Sequence, residues 1–273
     1  MPTGWTPPGP VQPAGPTKRR AVLYEHMFVE SIDSRGGSGA ARGQARESLA
    51  LLAERTRPVS SSQTRLLPVL PPLVGLFPDG SLRRGSTVVV SGPDRNTGGD
   101  ISVALALLAA ASEAGSWCAL VGMAGLGAVA AHDVGIDLAR LAVVPRPGAA
   151  WAEVTAALLD GVDLVVLCPP FSPRPAMARR LVARARERRS VLVVVPGRSG
   201  WPEHPDVRLR VSDIHWDGVG TGEGYLHGRR MTVTATGRRS ATRPRHHHLW
   251  VPSTTGAVAE VTVASPTSPT TQP

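Results

Sequence analysis

The stretch SGPDRNTGGDISVALALL, Ser91 to Leu108, is where this chain comes nearest to assembling chemistry. It follows the apolar run Thr87 to Val90 and opens an Ala-rich segment, so it reads as strand, glycine turn, helix. That is the build of a phosphate-binding loop, G-x-x-x-x-G-K-[ST]. In such a loop backbone N–H groups wrap the phosphates, the lysine reaches the terminal ones and the hydroxyl holds Mg²⁺. Here Gly92 and Gly98 have five residues between them instead of four. Gly99 stands at the lysine position and Asp100 at the hydroxyl position. Lys18, near the start of the chain, is the single lysine. A carboxylate at a helix N-terminus stabilises the helix by about 0.3–1 kcal/mol and repels a phosphate at the same spot. Two readings stay open: a strand-to-helix turn that fills its own anion site, and an unorthodox nucleotide pocket.

The other clusters are weaker. GMAGLG, Gly122 to Gly127, is spaced G-x-x-G-x-G, not as the G-x-G-x-x-G of a dinucleotide turn. PAMARRLVARARERRS, Pro175 to Ser190, sets Arg180, Arg184 and Arg188 in a row opposite Met177, Leu181 and Ala185. The row is either a solvated helix face or a stripe for DNA phosphates or an acidic partner. GRRSATRPRHHHLWVP, Gly237 to Pro252, gathers Arg238, Arg239, Arg243 and Arg245 beside His246, His247, His248 and Trp250. Consecutive histidines on a strand point to alternate faces, so no tetrahedral metal site is expected there. The segment reads as a basic surface loop leading into an edge strand, with a DNA or protein contact as the functional alternative. Trp201, Trp216 and Trp250 fall in the same half of the chain and are either core caps or interface anchors. Ser91, His132 and Asp133 form no nucleophile–base motif. Cys118 and Cys168 fall in predicted strands, without a second Cys or His at ligand spacing, and read as small buried thiols.

These residues must be carried by a fold that 273 residues with 42% hydrophobic content can pack. The longest uncharged apolar stretch, Cys118 to Ala131, is broken by glycines and short of the roughly 18 residues of a membrane span. The N-terminus is rich in Pro and Gly where a signal peptide has an apolar core, so a cytoplasmic protein is expected. The net charge of +9 raises nucleic acid or an acidic protein as partners. The near-absence of lysine points equally to codon bias toward arginine. Strands are expected at Thr87–Val90, Trp117–Val121, Leu141–Val144, Asp163–Leu167 and Val191–Val195. Helices are expected at Ile101–Ala114, Gly127–Val134, Trp151–Asp160 and Pro175–Arg189. Continuous apolar strands alternating with helices predict a parallel sheet buried on both faces. After Pro196, segments Val207–Val211, Gly224–His227, Met231–Thr236 and His248–Val251 alternate apolar and polar, predicting antiparallel hairpins. Leu66 to Gly85, punctuated by proline, is expected to lie on the core as an extended strap.

LRRGSTVVVSGP, Leu82 to Pro93, then EAGSWCALVG, Glu113 to Gly122, and VGIDLARLAVVPRPGAAWAEVTAALLDGVDLVVLCPP, Val134 to Pro170, resemble in order the ATPase core of RecA-type recombinases. The resemblance covers about Leu66 to Val195. It implies an α/β fold, a RecA-like mostly parallel sheet flanked by helices with antiparallel hairpins at the C-terminal end. It also places the Walker B metal-binding acid at Cys168 and the catalytic glutamate near Ala124. Lysine, Mg²⁺ hydroxyl, Walker B acid and general base are thus all missing, and ATP hydrolysis is not expected, with no cofactor. More narrowly, LPVLPPLVGLFPDGSLRRGS, the lysine-free loop and the HHLWVP strand resemble actinobacterial RecA-like accessory proteins of the ImuA type. That implies a non-catalytic adaptor in damage-induced mutagenic translesion synthesis. Its expected partner is a Y-family polymerase homologue (ImuB-like), with the recombinase RecA and DNA as further candidates and no membrane. A nucleotide-dependent DNA-binding ATPase and a division inhibitor of the SulA type are the alternatives. The expected organisation is a disordered segment over 1–39, a helix and linker over 40–65, and a RecA-like domain over 66–252. That domain divides into a core over 66–195 and a hairpin extension over 196–252, with a disordered tail over 253–273.

Overall fold

A computed structural model describes residues 65–93, 99–197, 200–219, 224–238 and 243–261. The segments expected at 1–39 and 40–64, with the helix at 40–57, lie outside the described residues. Among the described residues the fold is mixed α/β, built on one large sheet of nine strands. A small pair, β1 (Leu66–Leu67) with β2 (Leu82–Arg83), precedes it. The large sheet comprises β3 (Thr87–Ser91), β4 (Cys118–Val121), β5 (Leu141–Val144), β6 (Leu164–Leu167), β7 (Val191–Val194), β8 (Val207–Val219), β9 (Gly224–Gly237), β10 (Arg245–Trp250) and β11 (Ala259–Glu260). Their order is β11-β10-β9-β8-β3-β7-β6-β4-β5. The stretch from β8 to β5 is parallel throughout, and β8 to β11 is antiparallel. The first parallel strand, β3, thus lies between β7 and β8. This is neither the 3-2-1-4-5-6 nor the 2-1-3-4-5 order of the familiar doubly wound sheets.

The apolar runs work as continuous runs because both sheet faces are covered. Val88 and Val90 of β3, with Leu120 and Val166, pack against α1 (Gly99–Glu113), whose Val103, Ala104 and Leu107 are fully buried. A short α2 (Ala128–Asp133) joins that layer through Ala131. Val89, Val121, Val165 and Val194 face the other way, onto α3 (Trp151–Gly161) and α4 (Pro175–Arg188). Each fully buried Val or Leu side chain contributes about 1.5–3 kcal/mol, and the alternation assigns each to one of two cores. Arg84 closes the base of the sheet: its Nη1 donates to Asp163 Oδ1 at 2.6 Å. Asp163 Oδ2 accepts the Trp117 backbone N–H at 2.9 Å, which ties β4 to β6.

Three expectations need correction. The strap at Leu66–Gly85 is not wholly extended: Pro71–Leu76 winds into a 3-10 turn and β1–β2 pair across it. Proline is compatible with the first turn, where its missing N–H costs nothing. The short strands expected at Gly224–His227 and Met231–Thr236 are one strand, β9, because Gly228 lies flat under Trp250 instead of turning the chain. The tail expected from residue 253 instead continues the sheet: Ser253 N–H donates to Ala257 O at 2.8 Å, and β11 pairs with β10 at Leu249 and Trp250. No helix among the described residues is long and apolar enough to cross a membrane.

Candidate functional site

Open parallel sheets bind ligands outside the carboxyl ends of their strands. Here those ends are Ser91, Gly122, Cys168 and the loop opening α1. Asp100, in the first turn of α1, is 5% exposed. It sits where the carboxylate can serve the helix: Oδ1 accepts the Ile101 N–H at 2.8 Å. A Cβ on Gly92 would lie 3.5 Å from the Asp100 carboxyl carbon, so the side chain occupies the space between strand end and helix start. Gly99 approaches the sheet so closely that a Cβ would come within 2.9 Å of Val211 Cγ1 and 3.0 Å of Ile214 Cδ1. A side chain at the position where a lysine would stand therefore requires Val211 and Ile214 to give way. Gly98 lies outside the described residues.

The cation at this site comes from another element. Arg229 of β9 is 4% exposed. Its Nε donates to Val251 O at 2.8 Å, and its Nη2 to Ser102 Oγ, in the first turn of α1, at 2.5 Å. Its guanidinium carbon lies 4.8 Å from the centre of the Trp216 ring, a cation–π contact. Burial pushes the guanidinium below its ordinary range, while the negative charge of Asp100 works in the other direction. At the N-terminus of α1 the described residues thus bring a buried carboxylate, Asp100, into the same region as a buried arginine bonded to Ser102. Sequence reading missed Arg229. The available signal was an arginine in strand alternation with Met231, Val233 and Ala235, a place where a buried charge needs a partner.

The positions assigned to the Walker B acid and the general base hold no such groups. Cys168 lies just past β6, not within it, and its N–H donates to Val121 O at 2.8 Å. Gly122 has φ +82°, and a Cβ there would overlap the Cys168 carbonyl oxygen. The ends of β4 and β6 are therefore closed against each other. Ala124 is exposed in the turn that follows. Cys118 is fully buried, and burial pushes its thiol far above the ordinary range, with Asp163 and Asp137 adding to the shift.

The arginine clusters disperse. On α4, Arg184 makes a two-pronged contact with the Asp160 carboxylate of α3, through Nε at 2.7 Å and through Nη2 to the other oxygen. Its hydrogen bond to Asp160 raises its already high pKa. Arg188 Nε donates to the same carboxylate at 3.1 Å. Arg180 is exposed, so the row of three is two arginines sharing one acid and a third standing apart. Arg238 and Arg243 are exposed on either side of the β9–β10 connection, Arg245 is half-buried, and Arg239 lies outside the described residues. His246 and His248 face one side of β10 and His247 the other, where its ring meets Gly75. Among the described residues no cluster of three or more His, Cys, Asp or Glu side chains could hold a metal. Trp201 is buried under the α3–α4 layer, whereas Trp250 is half-buried with Arg230 5.5 Å from its ring centre.

β8 and β9 extend past the other strands. Ser91 is level with Arg210, and β8 continues to Val219, about 25–30 Å further. Two register shifts, the first at Asp213 with φ +49°, bend this arm. It carries the exposed Trp216 (45%), Tyr225 (73%) and Leu226 (52%).

A family model described as the MT3502 N-terminal domain matches residues 75–203. The uncharacterized protein Rv3395c of Mycobacterium tuberculosis is 34% identical over 215 residues, covering 76% of this chain and 97% of the relative. Identity at that level across nearly the whole relative means that the chain belongs to the same family as this mycobacterial protein.

Proposed function

We propose that the protein is a non-catalytic RecA-like adaptor in a damage-induced translesion DNA-synthesis complex. It docks onto a Y-family polymerase homologue, with a recombinase as a second partner. The observation that carries this reading is the pair at the start of α1: Asp100 beside Gly92, with Arg229 bonded to Ser102. An anion cradle that supplies its own anion and cation has little left with which to neutralise a triphosphate or activate water. The motif order supports the RecA-like assignment. The loop follows β3, Ala124 follows β4 and Cys168 follows β6, each at the carboxyl end where the resemblance expects it.

With the chemistry silent, surfaces remain. The exposed Trp216, Tyr225 and Leu226 on the β8–β9 arm are the side-chain types that anchor protein interfaces. The test is co-purification with a Y-family polymerase homologue, tagged in either order. Association that a Trp216→Ala/Tyr225→Ala variant loses supports the reading. No association in either order counts against it. Cell filamentation on overexpression without DNA damage would instead favour a division inhibitor.

A further inference from the structure

Among the described residues, helices cover the parallel half of the sheet on both faces but leave one face of its β8–β10 part open. Val89 of β3 packs under the α3–α4 layer, and its partner across the parallel ladder is Arg208 of β8. Beyond that point the layer ends. Arg186 of α4 lies 3.7 Å from Asp206 at the start of β8, and Arg179 lies 3.8 Å from Glu203. The same face of β8, β9 and β10 then runs in cross-strand rows: Arg208 with Thr236, Arg210 with Thr234 and His246, Ser212 with Thr232 and His248, and finally Arg230 with Trp250. Apart from the closely packed Thr232 these residues are half-buried or exposed. Their neighbours in sequence, Leu209, Val211, Val233 and Leu249, are buried on the opposite side. The alternation is what a half-solvated antiparallel sheet requires, but the solvated side is unusual in what it carries.

We infer that this open face, centred on Arg208, Arg210, His246 and His248, binds the backbone of single-stranded nucleic acid. Arg, Ser, Thr and His side chains are the groups that grip phosphate oxygens without reading sequence. Thr234 Oγ1 lies 3.0 Å from His246 Nδ1 and Thr232 Oγ1 lies 3.1 Å from His248 Nδ1. These contacts tie each ring to its cross-strand threonine, and both histidines are exposed. The face is about 20 Å long, from the Arg208 row to the Arg230 row, which suits a strand of a few nucleotides. The half-buried Trp250 ring closes the far end, with Gly228 beneath it and the Arg230 guanidinium 5.5 Å from its centre. Asp217, 3.1 Å from Arg230, and Asp213 at the bulge beside Ser212 lie toward that same end, while Asp206 at the other end accepts the Thr87 N–H and lies 3.7 Å from Arg186. The Arg208–Arg210 end is bordered by further cations, Arg238 and Arg243. This assignment does not rest on the adaptor reading.

Anisotropy titration of the full chain with labelled oligothymidylate of about 20 nucleotides tests it. Binding is expected at about 50 mM salt, with a slope of log K on log salt of about −2 to −4. Arg208→Ala/Arg210→Ala should lower affinity at least about tenfold and flatten the slope by about 1.4, the loss of two phosphate contacts at about 0.7 each. Both side chains are on the solvent side, and an unchanged circular-dichroism melt confirms the fold. Arg184→Ala/Arg188→Ala removes equal charge elsewhere and should leave affinity within about twofold. No binding, equal losses in the two pairs, tighter binding to a duplex of the same length, or equal binding to polyglutamate would each overturn the inference.

Discussion

Arg229 and Ser102 are 127 residues apart in the chain, yet the arginine Nη2 donates to the serine hydroxyl at 2.5 Å. That bond fastens the antiparallel half of the sheet to the first turn of α1, beside Asp100. Arg229→Met should therefore destabilise the protein by about 3–5 kcal/mol, the usual cost of orphaning a buried charge. Urea unfolding checks it. Asp100→Asn in the same chain should recover part of the loss, with a coupling of about 0.5–3 kcal/mol. Additive losses would mean that the two charges do not act together.

Gly99 bears on whether the loop can be repaired. A side chain there collides with Val211 and Ile214. Gly99→Lys should cost about 1–3 kcal/mol by overpacking and should not create nucleotide binding. Thermal melts and ATP titration of the variant measure both.

Asp163 is 2% exposed and takes hydrogen bonds from Arg84 and the Trp117 backbone. Asp163→Ala should cost about 3–5 kcal/mol because it leaves the largely buried Arg84 guanidinium without its carboxylate and the Trp117 N–H without its acceptor. Asp160 is the contrasting case. It pairs with Arg184 and Arg188 at the surface, and Asp160→Ala should cost about 1 kcal/mol or less.

Cys118 gives a pH dependence. Its folded thiol is held neutral well above the ordinary value of 9.0. Above about pH 9 the unfolded chain sheds this proton and the folded one keeps it, so stability falls as pH rises, by up to about 1.4 kcal/mol per unit. Below that pH the contribution is fully present. Urea midpoints at increasing pH should fall faster for the native chain than for Cys118→Ala. Parallel decline would remove Cys118 as the cause.

Much of the core was legible because its signal is local. The run Leu141–Val144 and the helix starting at Pro175 stand where apolar periodicity and proline place them. The lengths of β8 and β9 were not legible, since Gly228 and the bulge at Asp213 look like turns until the partner strand is known. At the candidate site the sequence shows what Asp100 and Gly99 lack, because loop spacing is a local property. It does not show Arg229, whose role depends on β9 lying across from α1. The arginine row on α4 is visible as a row, but its pairing with Asp160 depends on how α3 and α4 pack.

The central claim is that the start of α1 is electrostatically self-satisfied and holds no nucleotide. Isothermal titration of the intact protein with Mg·ATP tests it most directly. The account predicts no saturable heat up to about 1 mM, a range that corresponds to less than about 4 kcal/mol of binding. A micromolar, magnesium-dependent isotherm that Asp100→Ala alters would contradict it.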